Sequence, residues 1–550
     1  MTMNPDWLLN HFEQISEAPD AVPRLRRFIL DLAVRGKLVE QNPADEPASE
    51  LLKRIRAEKQ EHAGRRSCTE QRPFEVDETE TPFEIPESWE WVKATEPAVV
   101  ISDKGKKVQT KDVLEFGEFP VVDQGKVLIR GYCNDVQKVT RVSGPIIVFG
   151  DHTRETKLID FDFVVGADGV KMLKPIEVNP AYYFLALQWV PLDSRGYARH
   201  FKLLRASRFP LPPLAEQHRI VAKVDELMAL CDEFEAAQAK REKRRDRLVA
   251  ATLHGLNNGD GSPEPGTRPT FEGSARFYFN HLPRLTTRPE HIRQLRQTIL
   301  NLAVRGKLVE QNPEDEPASE LLKRIEQEKA RLVKAGEVRK EKPFPPIDEY
   351  GTLFDLPASW RWVPIRKVTV DRGQKIPRKN FSYVDVSAID KERGLIASTQ
   401  VLTPDVAPSR ARKIVRKGDV IYSCVRPYLL NIAVIEEEFK PEPIVSTAFA
   451  VLNGLGLVLP RYLWLVLRSP FFVDCVEGKM RGQAYPAIND GDFAILPFPL
   501  PPLAEQHRIV AKVDELMALC DELETRIAET SNIRRRLLEA TLHEALKGGI

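Results

Sequence analysis

The sequence predicts an α+β chain in which two globular α/β inserts are carried by a helical frame present twice, an internal repeat of pseudo-twofold character. Three observations predict it. Residues 25–55, LRRFILDLAVRGKLVEQNPADEPASELLKRI, return at 295–325 as LRQTILNLAVRGKLVEQNPEDEPASELLKRI, with 27 of 31 positions identical at an offset of 270. Residues 209–235, FPLPPLAEQHRIVAKVDELMALCDEFE, return at 498–524 with Phe234 replaced by Leu523 as the single change, at an offset of 289. Between these segments each half holds an insert that opens alike, FEIPESWEWV at 83–92 and FDLPASWRWV at 354–363, and then diverges beyond recognition. Units of about 270 residues are far too long for a solenoid repeat, so a pseudo-dimer within one chain is the better reading.

In chain order, residues 1–82 read as a helical hairpin. Leu25, Phe28, Ile29, Leu32 and Ala33 fall at helical spacing, Gly36 follows as a stop, and Glu46-Pro47 opens a second helix through Leu51, Leu52 and Ile55. The first insert, 83–208, is mixed α/β: PIIVFG at 145–150 and FVVGADGVKML at 163–173 are β-branched runs, and AYYFLALQWV at 181–190 is a short buried helix. Pro210, Pro212 and Pro213 end the strand that leaves the insert. No Gly or Pro then interrupts Leu214 to His254, so 209–256 holds one long helix of roughly 60 Å. Its Ile220, Val224, Leu227, Cys231 and Phe234 step by 4, 3, 4 and 3, and Ile509, Val513, Leu516, Cys520, Leu523 and Ile527 repeat the rhythm. That is a coiled-coil seam, and the two copies are expected to pair.

Residues 257–290 read as a flexible linker, because NNGDGSPEPGTRPTFEGS at 257–274 is rich in Gly, Pro and Asn. The second hairpin follows at 291–345, the second insert at 346–497 and the last long helix at 498–550. DVIYSCV (419–425) and IVSTAFAVL (444–452) are strands of that insert, and RYLWLVLRS (461–469) is a buried helix.

Composition narrows the function classes. Apolar residues make up 42% and charged residues 29%, and no apolar run approaches the ~20 residues of a bilayer span. The opening MTMNPDWLLNHFEQ lacks a basic region before an apolar stretch, so a cytoplasmic protein is expected. Six cysteines are scattered without a CxxC pair, against a zinc knuckle or a disulfide framework. A net charge of +1 is an objection to nucleic-acid binding until it is divided by segment. Residues 354–499 hold 20 Lys and Arg against 15 Asp and Glu, residues 83–208 hold 18 against 17, and the remainder is therefore −5. Positive charge sits in the inserts, chiefly the second, as expected if inserts face DNA and the frame faces protein.

Within the inserts, Arg suits guanine, Asn and Gln suit adenine, and Lys grips phosphate. The first insert offers a basic loop, Lys104, Lys106, Lys107, Gln109 and Lys111, with Gln124 and the cluster His152, Thr153 and Arg154 near strand ends. The second offers Arg372, Gln374, Lys375, Arg378, Lys379 and Asn380, then Arg426, Tyr428 and Asn431, then Arg481, Gln483 and Tyr485. Each residue alone is as well explained by surface solvation; as clusters they point to DNA. No catalytic residue and no metal site is expected: His152 has no second ligand at metal spacing, Asn179-Pro180-Ala181-Tyr182 lacks the second proline of the adenine-methylase loop, and GLG at 454–456 lacks the third glycine of a dinucleotide fold.

The LAVRGKLVEQ and DEPASELLKRI runs with PLPPLAEQHRIVAKVDEL, each present twice, resemble the frame of Type I restriction-modification specificity subunits, and the WxWV motifs resemble the start of their target-recognition domains. FPVVDQG (119–125) with IVFGDHTRETK (147–157), and GDVIYSCVRPYLLNIAV (418–434), are similar to two classes of such domains. The resemblance implies two recognition domains held apart by long antiparallel coiled-coil helices, double-stranded DNA as ligand, and two methyltransferase subunits as partners, with restriction and translocase subunits added for cleavage. It implies no cofactor here, with S-adenosylmethionine, ATP and Mg belonging to partner subunits. A stand-alone methyltransferase or nuclease, and a coiled-coil adaptor without a DNA role, are the alternatives.

Overall fold

The computed structural model describes residues 17–64, 81–102, 105–166, 169–192, 199–258, 271–341, 343–344, 354–483 and 485–548. It falls into two compact units, Met1–Arg241 with Thr530–Ile550, and Glu242–Glu529.

In the first unit, α1 (Ala21–Val34) and α2 (Ala48–Gly64) lie where two helices are expected and contribute to one core cluster. Gly36 ends α1 in the left-handed region at φ +67°, and a Cβ there would sit 2.4 Å from Pro86 Cγ, so the turn demands glycine twice over. The insert then runs β1 (Glu90–Lys93), β2 (Ala98–Ile101), β3 (Phe119–Val122), β4 (Gly131–Cys133), β5 (Val139–Thr140), β6 (Ile146–Gly150), β7 (Thr156–Ile159), β8 (Phe163–Val165), β9 (Val170–Pro175), α3 (Pro180–Trp189), α4 (Phe201–Ala206) and β10 (Arg208–Leu211). The long α5 (Leu214–Asn258) leaves it. Asn179 caps α3, accepting from the N–H groups of Ala181 and Tyr182, with Pro180 in the first turn. Strands order β2-β9-β6-β7 in one sheet and β4-β3-β8-β5 in the other. In the second sheet β3 and β8 are parallel and their outer neighbours antiparallel.

The second unit repeats this plan. It holds α6 (Phe271–Leu285), α7 (Pro289–Val304), α8 (Ala318–Lys334), β11 (Arg361–Pro364), α9 (Ile365–Val368), β12 (Phe381–Val384), β13 (Ile389–Asp390), β14 (Leu395–Ile396), β15 (Gln400–Leu402), β16 (Ala411–Ile414), β17 (Val420–Ser423), β18 (Ile432–Val434), β19 (Pro443–Ser446), β20 (Phe449–Leu452), α10 (Pro460–Arg468), α11 (Pro470–Glu477), α12 (Asp490–Ala494), β21 (Pro497–Leu500) and α13 (Leu503–Gly548) as far as Glu529, the rest of that helix belonging to the first unit. Its main sheets order β15-β12-β19-β16 and β18-β17-β20, with Val370 bridging Asn453 at the end of β20. Again the middle pair of the four-stranded sheet, β12 and β19, is parallel and flanked by antiparallel partners. The inserts share no recognisable sequence beyond their opening, yet their main sheets follow matching strand orders, with β3 corresponding to β12, β6 to β17 and α3 to α10, while the second insert adds the β13–β14 ribbon and has an isolated bridge at Val370 in place of β2.

Two expectations are revised. The stretch 257–290 is not a linker throughout: α5 continues to Asn258 and Phe271–Leu285 is helical, with Tyr278 fully buried and donating or accepting at Thr286 Oγ1 over 3.0 Å. The Gly and Pro content that suggested flexibility lies mainly at 259–270, outside the described residues. The seam of α5, expected to meet the other long helix, packs on the hairpin of its own half. Ile220, Val224 and Cys231 are buried in one cluster with Ile29, Ala33, Leu51 and Ile55, and Leu227 and Phe234 lie at its margin. Ile509, Val513 and Cys520 of α13 likewise join Ile299, Ala303, Leu321 and Ile325. Arg26 closes the first contact on Asp232 and Glu235 at 2.6 and 2.9 Å, and Arg296 repeats it on Asp521 at 2.5 Å. A 4-3 apolar rhythm names a buried face and does not name the partner that covers it.

The far ends of the long helices close the opposite units. Leu538 is buried with Ala18 and Ala21 in the first unit, whereas Val249, Leu253 and Leu256 pack with Tyr278, Ile292 and Leu295 in the second.

Candidate nucleic-acid interface

Each insert is mounted on its frame by the same device. The strand that enters it pairs with the strand that leaves: β1 with β10, Trp91 opposite Pro210, and β11 with β21, Trp362 opposite Pro499. Beside this ribbon the buried Trp89 donates from Nε1 to Glu216 Oε2 over 2.9 Å, and Gln41 Nε2 donates to Glu216 Oε1 over 2.6 Å. Arg219 pairs with Asp45 at 2.6 Å. In the second half Trp360 and Gln311 meet Glu505 at 2.9 and 2.5 Å, and Arg508 meets Asp315 at 2.6 Å. One carboxylate thus ties hairpin, insert and long helix together. Burial raises the pKa of both glutamates above the ordinary value, and the hydrogen bonds from Trp and Gln oppose that rise. Sequence reasoning missed these residues, although an acid, a tryptophan and a glutamine recurring in register inside two repeats was a signal in plain view.

In the first head, chain-distant candidates converge. The N–H of Val108 bonds Val165 O over 2.9 Å, drawing the basic loop to the end of β8, and the N–H of Gly166 bonds Val122 O over 2.9 Å at the end of β3. Directly after β3, Gln124 Oε1 accepts from the N–H of His152 at 3.2 Å, and Thr153 Oγ1 donates to Gln124 O at 2.5 Å. Lys106, Gln109 and Lys111 are exposed and Lys107 is half-buried; Lys104 lies outside the described residues. Arg154 is exposed, takes φ +66° in the β6–β7 turn and donates from Nη1 to Leu192 O at 2.8 Å. The loop that carries Gln124 is braced from below: the buried Lys157 ammonium donates to Asp123 O at 2.8 Å and Val127 O at 2.6 Å. Burial lowers its pKa, with Asp123 opposing. Val127 and Leu128 stand exposed at the loop tip.

In the second head the candidates divide. Arg372 commits its guanidinium to Asp419, 2.7 Å away and fully buried, which also accepts the N–H of Arg416 and the amide of Asn453 at 2.8 and 2.7 Å. Lys375 pairs with Glu442 at 2.5 Å, and Gln374 pairs along the backbone with Lys413. Arg378, Lys379 and Asn380 are exposed. The two remaining groups become one surface, because Val425 and Arg481 both pair with Ala487. It gathers Arg426, Tyr428, Gln483 and Tyr485, all exposed, with Arg481 held by Asp492 at 3.1 Å. Asn431 is half-buried behind it and receives the N–H of Ser423 on its carbonyl. A buried lysine serves here too: Lys413 bridges Asp371 and Asp490, each at 3.1 Å. Burial lowers its pKa most, but the two carboxylates together carry it above the ordinary value.

Among the described residues no group of three His, Cys, Asp or Glu side chains converges to hold a metal. Burial pushes the thiol of Cys424 up to about 12 and that of Cys520 up to about 11, far from a reactive thiolate. No helix among the described residues is long and apolar enough to cross a membrane.

A duplicated mount carrying two heads of related topology, each with amide and guanidinium groups near strand ends, is the arrangement of a DNA-recognition protein built from two unlike heads. The chain belongs to the Type I restriction modification DNA specificity domain family, whose description it matches over residues 86–242 and 397–530. It is 32% identical to the Type I restriction enzyme EcoAI specificity subunit of Escherichia coli, across 96% of this chain and 94% of that one. To the EcoEI specificity subunit of the same organism it is 30% identical with the same coverage. The crystal structure of the HsdS subunit from Thermoanaerobacter tengcongensis is 39% identical over 35% of this chain and 50% of that one, with a TM-score of 0.32. The family assignment rests on the sequence matches.

Proposed function

We propose that the two heads read the two halves of one asymmetric, interrupted DNA site, and that the frame docks two methyltransferase subunits and, through them, restriction subunits. The chain itself catalyses nothing; S-adenosylmethionine, ATP and Mg are used by its partners. The observation that carries this reading is the contrast between a mount repeated residue for residue and heads of one fold with unlike surfaces. A repeated frame presents one docking surface twice, while unlike heads read unlike bases. Half-site centres one helical turn apart lie about 34 Å from each other.

Mapping modified bases across the host genome with and without the gene tests the reading. A split motif with unlike halves that vanishes with the gene supports it, and one uninterrupted palindrome overturns it. Methyl transfer by the purified chain alone would overturn the non-catalytic assignment.

A further inference from the structure

Resting on that reading, we propose that Arg426 is the guanine-reading residue of the second head, and that Tyr485 is the positioning residue that aims it. The turn between β17 and β18 is built at a cost. Arg426 and Leu430 take φ +48° and +55°, left-handed conformations that side chains with a Cβ rarely adopt, and they bracket a single 3-10 turn, Pro427–Leu429. Strain of this kind persists where the surroundings over-determine the backbone, and it clusters at functional sites. The surroundings here are explicit: the N–H of Arg426 bonds Pro486 O at 2.8 Å, and the N–H of Ile488 bonds Cys424 O at 3.0 Å.

The result is a guanidinium lying over the Tyr485 ring, 5.1 Å from its centroid, while Tyr485 itself is 72% exposed. Cation–π attraction holds the guanidinium over the exposed ring, and its N–H groups are not spent on a carboxylate. Among the described residues Arg426 has no carboxylate partner, unlike Arg372 on Asp419 or Arg410 on Asp385. A planar, charged, pre-aimed fork of donors matches the O6 and N7 acceptors of guanine in the major groove. The position also recurs: the topologically matching turn of the first head, between β6 and β7, carries Arg154, likewise exposed and left-handed at φ +66°. Two heads without common sequence at this turn place an arginine there in the same disfavoured conformation.

The test selects bound duplexes from a randomised library with the full chain in its methyltransferase complex, as wild type and as Arg426→Gln, Tyr485→Ala and Tyr485→Phe. In Arg426→Gln, preference for guanine is expected to fall about 5- to 150-fold at one position of one half-site, with the other half unchanged. Tyr485→Ala is expected to weaken preference at that same position, and Tyr485→Phe, which keeps the ring, to leave it intact. Both side chains are exposed, and unchanged melting of the variants confirms folding. A wild type that selects no interrupted motif defeats the underlying reading. An interrupted wild-type motif that Arg426→Gln leaves unaltered, or a uniform loss of affinity across sequences with a shallower salt dependence, defeats the assignment of Arg426 alone, the latter making it a phosphate contact.

Discussion

At the scale of single residues, exposure and partnership separate arginines that look alike in sequence. Arg372 and Arg378 lie six positions apart, but the first neutralises a fully buried Asp419 and the second is exposed. Arg372→Ala therefore strands a buried carboxylate and is expected to cost about 3–5 kcal/mol. Arg378→Ala is expected to leave stability within about 0.5 kcal/mol, to weaken DNA binding evenly across sequences and to lower the salt slope by about 1. Urea melts and salt titrations of both variants check this; an Arg372→Ala protein of wild-type stability contradicts it. The glutamates of the mounts give a pH signature. Their folded pKa values lie above the ordinary 4.5, so as pH rises from there the folded state keeps protons that the unfolded chain has released. Stability contributed by these groups is full below pH 4.5 and is lost as pH climbs through the raised folded values. The double variant Glu216→Gln with Glu505→Gln is expected to flatten that fall, read as the difference in urea midpoint from wild type between about pH 4.5 and 7.

At the scale of elements, what was legible in the sequence followed local rules. The hairpin helices, their Gly36 stop, the long helices and the strands at 145–150 and 419–425 were written in periodicity, proline and glycine placement. Contacts across the chain were not. The 4-3 seam was visible, but only tertiary packing shows that Ile29 and Leu51 cover it. The common topology of the heads was invisible because alternating burial constrains residue class and not identity, so strands that match in space need share no letters. The candidate site was legible as loops and not as a surface: the link from Gln124 to His152 and the join of Val425 to Arg481 through Ala487 depend on sheet register. Lys157 was overlooked because a lysine on a strand reads as solvent-facing, yet its ammonium fixes the loop of Gln124 from within. Lys157→Met keeps the bulk and removes the donor from two carbonyls. It is expected to cost about 1–3 kcal/mol and to blunt base discrimination in one half-site only. An affinity panel over single-base variants of the motif reads this out, and equal loss in both halves sinks it.

At the scale of the whole molecule, modularity has a physical seat in the antiparallel ribbons β1 with β10 and β11 with β21. Val92 faces Phe209 and Val363 faces Phe498 in the same register, and behind each ribbon stands the same Trp, Glu and Gln triad. Everything that distinguishes the heads lies between the ribbon strands, and both heads present the mount with related topologies. Replacing residues 365–496 by residues 94–207 should therefore leave the second ribbon, Trp360 and Glu505 intact while installing the first head on the second mount. The protein is expected to fold, because its ribbon pairing and triad are unchanged, and to recognise a site in which both halves carry the bases read by the first head. Genome-wide mapping of modified bases in a host carrying only this variant measures the outcome. If one half of the motif stays that of the original second head, base reading extends beyond residues 365–496 and the frame itself contacts bases; if both halves become new, the heads do not read independently.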